Sequence, residues 1–101
     1  MIMVIASIHV KAGKMSDYLA ILKTVVPEVR SERGCIEYLP AVDLGSNMPP
    51  QVLEPEVVTI LEKWASLDLL QAHLVSAHML DYREKVKNLV EKVTIKVLQE
   101  A

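Results

Sequence analysis

From Met3 to Val10 the chain is short, rich in β-branched residues and alternating, which predicts a strand. One face of that strand holds Val4, Ala6, Ile8 and Val10, the other Met3, Ile5, Ser7 and His9. Gly13 ends it. Between Met15 and about Arg33 the period lengthens, and Met15, Leu19, Leu22, Val26 and Val29 follow helical spacing. Pro27 falls inside that stripe and predicts a kink or a restart. Gly34 is then the expected C′ residue, because glycine enters the left-handed region at little cost.

Cys35 to Asp43 reads as a second strand, with Pro40 marking it as an edge or a bulge. Leu44 to Pro55 carries Gly, Ser, Asn and three prolines and reads as a long loop. Glu56 to Trp64 is a third strand, with Val57, Thr59 and Leu61 on one face and Val58, Ile60, Glu62 and Trp64 on the other. Ser66 is a good N-cap, with Asp68 in the first turn, for a short helix through Leu74. Ser76 caps a second helical segment to about Lys92, striped by Met79, Tyr82, Val86, Leu89 and Val90. Val93 to Gln99 closes the chain as a fourth strand. The order βαββααβ predicts a single α+β domain over residues 1–101, a ferredoxin-like split βαβ with a four-stranded antiparallel sheet and helices on one face. The strands carry apolar residues on both faces, whereas a sheet with one wet face alternates more cleanly. A homodimer with sheets packed face to face is therefore expected.

Composition strengthens that expectation. The 101 residues are 51% hydrophobic, a surplus for a chain that can bury only a modest share of its own surface. The longest apolar runs, such as Met1 to Ala6, fall far short of the roughly 20 residues of a membrane-spanning helix. The start has no basic, long-apolar leader pattern, and Cys35 is the one cysteine, so a reducing cytoplasm is expected. A net charge of −2 and four aromatic residues give no platform for nucleic acid and no attraction to an anionic membrane.

Candidate chemistry concentrates in two places. One is Arg30-x-Glu32-x-Gly34-Cys35-x-x-Tyr38; the other is Glu62-x-Trp64 followed by His73 and His78. A histidine is matched to proton transfer near neutral pH, so His73 is either a general base or a helix-end structural histidine. On one continuous helix His78 would lie about 140° from His73, and a break at Ser76 is needed to bring them together. Without the four-residue spacing, a second cysteine or clustered acids, no metal is expected. Trp64 is either core or an indole donor to a substrate oxygen; Tyr38 is either a phenolic donor or a strand tyrosine with a wet tip. Glu62 is either a proton carrier with a raised pKa or half of an ion pair with Arg30 or Arg83. His9 faces either the pocket or an interface. Cys35 is expected to be packed and inert.

These elements resemble the antibiotic biosynthesis monooxygenase family, the small dimeric α+β barrel proteins, over nearly the whole chain. The resemblance implies an apolar pocket, no cofactor and no metal. His73, Trp64 and Tyr38 are the implied catalytic groups, with His78, Glu62, Arg83 and His9 binding substrate. Three roles are open, the first two of them implied by the resemblance. One is O2-dependent oxidation of an electron-rich phenol, hydroquinone or anthrone. Another is isomerisation of a small, phosphorylated dicarbonyl, for which Arg30, Arg83 or Lys63 would supply positive charge. The third is non-enzymatic binding of a hydrophobic ligand by the dimer. More distant haem-degrading relatives share Trp64, but their ligating histidine would fall near Arg83 and their first-strand asparagine near Ala6 or Ser7. Haem is therefore not expected.

Overall fold

Strand register decides which side of this protein is dry. A computed structural model describes residues 1–101. It contains β1 (Ile2–Val10), α1 (Met15–Arg30), β2 (Cys35–Val42), β3 (Val57–Trp64), α2 (Leu67–Leu74), α3 (Ala77–Val86) and β4 (Val90–Leu98). The strands form one antiparallel sheet in the order β2-β3-β1-β4, a ferredoxin-like α+β arrangement. Pairing aligns Tyr38, Glu62, Val4 and Val97 in one row across all four strands. The next rows are Pro40, Ile60, Ala6, Ile95 and then Val42, Val58, Ile8, Val93. Since side chains alternate with period two, these rows share the face that the helices cover.

Helix α1 buries Tyr18, Leu22, Val25, Val26 and Val29 against that face, and α3 adds Met79, Tyr82 and Val86. The helical layer stops short of β4, where Val93, Ile95 and Val97 stay about half exposed on the same face. The opposite face is mixed. Met3, Ile5, Leu39 and Leu61 sit beside Ser7, Thr59, Lys63, Thr94 and Lys96. Apolar residues on both faces are thus found in β1, β2 and β3, whereas β4 offers the open face mainly threonine and lysine. No helix is long and apolar enough to cross a membrane.

Several boundaries differ from the sequence expectation. Helix α1 runs through Pro27 without a break and ends at Arg30, not Arg33. The missing Pro27 N–H frees only the Lys23 carbonyl, and both residues lie on the exposed face, where that carbonyl is open to solvent. Gly34 is not the C′ residue. Ser31 caps α1, and Gly34 takes φ +85° two residues after Glu32, in the turn that leads into β2. Pro40 does lie on an edge strand, as its missing donor requires, but the register irregularity is between Cys35 and Glu37. Helix α3 stops at Val86, and β4 begins at Val90 rather than Val93. Val90 fits a helical stripe and a strand equally well; its pairing with Val10 selects the strand.

Gly34 joins the two halves of the helical layer. Its carbonyl accepts from the Ala65 N–H at 2.8 Å, and α2 packs so closely that an added Cβ would lie 2.8 Å from Leu69 Cβ. Gly34→Ala would combine a positive φ with this overlap. We expect a loss of about 2–4 kcal/mol in chemical denaturation, with m unchanged.

Candidate active site

Where the helices stop short of β4, a cavity of about 440 Å³ opens between the two layers. Its walls are apolar, with Ala6, Ile60 and Ile95 on the sheet side and Leu70, Met79 and Val86 on the helix side. The polar groups at its edge are Tyr38, Glu62, His73, Tyr82, Arg83 and Lys87.

His73 is the best-organised of these. It sits in the last turn of α2, 2% exposed. Its ring lies on Trp64, with centroids 4.5 Å apart, and meets Tyr38 edge-on at 5.8 Å. Nδ1 is 2.6 Å from Glu32 Oε2. An ionised carboxylate can only accept, so Nδ1 carries the proton and Nε2 is the basic nitrogen. Nε2 has no protein partner, and since no buried polar side-chain atom is left unpaired, it is open to the cavity that His73 lines. Burial lowers the His73 pKa below its ordinary 6.5, with Glu32 opposing. The ring is therefore neutral near pH 7.

The chain turns at Val75 and Ser76, splitting the histidines between two helices. Ser76 locks this corner by donating from both N–H (3.1 Å) and Oγ (2.8 Å) to the His73 carbonyl. It makes that bond instead of the side-chain cap expected of it. The 140° separation on a continuous helix is thereby removed, and His78 Nε2 comes within 3.1 Å of the same Glu32 oxygen. His78 does not line the large cavity. It faces a smaller polar cleft with Thr24, Glu28 and Asp81, which corrects its expected place at the substrate.

Trp64 and His9 lie away from the cavity, while Glu62 lines it with a raised pKa and only its expected ion pair is missing. Trp64 is fully buried, does not line the cavity, and donates its indole N–H to Glu62 Oε1 at 2.9 Å, so that donor is already used. Glu62 has neither Arg30 nor Arg83 as partner: Arg30 Nε donates to the Tyr38 carbonyl, and Arg83 lies at the cavity edge. His9 projects from the helix-free face, paired across the strands with Val57 and Lys92, and the sheet itself separates it from the cavity. Tyr38 does line the cavity. It is buried rather than wet, and its hydroxyl makes no protein hydrogen bond. Burial and the neighbouring Glu62 push its pKa far above the usual tyrosine value, so it remains a donor.

Glu32 stands in the first motif but has no role assigned by the sequence, and Lys87 and Tyr82 are further residues at the site that the sequence does not mark as functional. Glu32 lies 41 residues from His73, and only the fold brings them together. Lys87 follows Arg83 by one helical turn, a spacing that was available as a signal. Tyr82 fits the helix stripe by spacing, but it also lines the cavity while its hydroxyl meets that of Tyr18 at 2.6 Å. Cys35 is half-buried, with its pKa raised mainly by burial, in keeping with an inert thiol.

Burial raises the Glu62 pKa above its ordinary 4.5, against the Trp64 hydrogen bond and with help from the Glu32 charge. A folded-state pKa above the unfolded one means that stability is lost as pH rises through the folded value. Glu62→Gln keeps an acceptor for Trp64 without the charge. Its stability relative to wild type should therefore improve between pH 4 and pH 8 in urea titrations. Glu62→Leu should be about 1–3 kcal/mol less stable than Glu62→Gln, because the buried indole N–H is left unpaired.

The family model for antibiotic biosynthesis monooxygenase matches residues 1–85. The probable quinol monooxygenase YgiN of Escherichia coli K12 is 35% identical over 101 residues, covering 98% of this chain and 97% of that protein. Among solved structures, a conserved protein of Methanosarcina mazei is similar at 25% identity and TM-score 0.84, covering 99% of this chain and 92% of its own. Rv0793 of Mycobacterium tuberculosis is similar at 25% identity and TM-score 0.82, covering 99% and 94%. With its sheet order and helical layer already matching the fold, this chain belongs to the antibiotic biosynthesis monooxygenase family.

Proposed function

We propose that this protein is a cofactor-independent monooxygenase that oxidises an electron-rich phenol, hydroquinone or anthrone with O2. The observation that carries this reading is the Glu32-held His73, whose basic Nε2 is open to an apolar cavity. Family membership and the likeness to a probable quinol monooxygenase support it.

The substrate ring would lie among the apolar walls with one hydroxyl toward Nε2. His73 takes that proton, and Glu32 stabilises the resulting imidazolium and holds the ring tautomer. The Tyr38 hydroxyl donates to the developing phenolate, and exclusion of water strengthens that bond. The phenolate gives one electron to O2, and the radical pair recombines as a C–O bond. The hydroperoxide then loses water. For a hydroquinone the balance is one quinol plus one O2 giving a hydroxyquinone plus one water. Arg83 and Lys87 at the cavity edge favour a second reading, isomerisation of an anionic dicarbonyl, which consumes no oxygen.

We further propose a homodimer formed through the helix-free sheet face, where Leu39 and Leu61 are about 40% exposed. Leu61→Glu should move the protein toward monomer in analytical ultracentrifugation.

Oxygen uptake with a panel of hydroquinones and anthrones, corrected for autoxidation, tests the reaction. His73→Ala should lower enzymatic uptake by about 10²–10⁴-fold, the usual contribution of a general base. Glu32→Gln should lower it less. Wild-type uptake no faster than autoxidation across the panel would favour the isomerase.

A further inference from the structure

The geometry points to a divalent transition-metal site formed by Glu32, His73 and His78, set behind the cavity wall and not in the cavity itself. One donor atom from each residue lies within 4.8 Å of the others. An ion holding nitrogen and oxygen ligands tetrahedrally at about 2.0–2.2 Å separates its donors by about 3.4 Å. Nδ1 of His73 and Nε2 of His78 are already 2.6 and 3.1 Å from one carboxylate oxygen. An ion in place of the two shared protons would need these two edges to open by less than about 1 Å and the His73–His78 edge, at most 4.8 Å, to close by up to about 1.4 Å.

The donors come from three anchored places. Glu32 is in the turn after α1, its N–H bonded to the Val29 carbonyl at 3.0 Å. His73 is stacked on Trp64, and His78 is in the first turn of α3 just past the Ser76 corner. Two imidazoles and one carboxylate suit Zn²⁺ and its first-row neighbours and not Mg²⁺ or Ca²⁺, which take mainly oxygen. Side-chain exposures of 23% for His78 and 14% for Glu32 give an ion access from solvent without passing through the cavity. A fourth position is left for water, as in other three-ligand zinc sites.

Occupation would have a consequence that rests on the proposed role of His73 as base. A metal on Nδ1 leaves the remaining ring proton on Nε2. The cavity-facing nitrogen then donates instead of accepting, and it cannot take the substrate proton. Zn²⁺ would thus act as an inhibitor bound outside the substrate space.

The test is titration of chelator-treated protein with Zn²⁺ by calorimetry, alongside histidine ring NMR and oxygen uptake. Wild type should bind one Zn²⁺ per chain in the micromolar range, with the His73 and His78 ring signals moving and His9 unaffected. His78→Ala should weaken binding at least about tenfold, and His9→Ala should not. Uptake, measured against each variant's own metal-free rate, should fall with Zn²⁺ in wild type and be spared in His78→Ala. No micromolar binding, or ring shifts confined to His9, overturns the site even if His78→Ala fails to fold. Binding through His73 and His78 without inhibition supports the site and overturns the assignment of His73 as base.

Discussion

The carboxylate of Glu32 is the point at which the helical layer is tied together. It belongs to the turn that leaves α1, yet one of its oxygens meets a histidine from α2 and another from α3. Without that acceptor, His73 would be a buried imidazole with no partner for Nδ1, and nothing would choose which ring nitrogen is basic. The same contact sets the orientation of the ring against Trp64 and Tyr38. Gly34, two residues later, is what allows this turn to come so near α2.

Around that contact, the sheet sorts its polar groups by row. Tyr38 and Glu62 stand side by side on neighbouring strands, and Val4 and Val97 continue the row toward the open edge. On the sheet side, polarity therefore falls from Tyr38 and Glu62 toward the apolar Val4, Ala6 and Ile95, while Arg83 and Lys87 mark the edge on the helix side. The Tyr18–Tyr82 hydroxyl pair satisfies two further buried groups, and no buried side-chain polar atom is left without a partner.

Most of the fold was legible in the sequence because period-two and helical stripes were unambiguous where β-branched residues clustered. All seven elements occur in the expected order, and the face assignments for β1 and β3 match the register. Expectations failed where a residue suits both periods, as at Val90, or where a proline frees only a solvent-exposed carbonyl, as at Pro27. The site was less legible. His73 and Tyr38 stand out by residue type, but Glu32 is one acid among many until the fold closes a 41-residue separation. His9 shows the complementary limit: its strand face was known, but with apolar residues on both faces the sequence did not reveal which one the helices cover. Trp64 and Glu62 share a strand face two residues apart, so their bond to each other was within reach; each was instead assigned an outside partner.

Because α1, α2 and α3 leave β4 uncovered, the outer wall of the cavity is held to the protein almost entirely by its backbone ladder with β1. Such a strand belongs to the low end of local stability, where opening costs far less than global unfolding. The aperture of the cavity is therefore set by a single edge strand, while His73 and Glu32 belong to the helical layer on the other side.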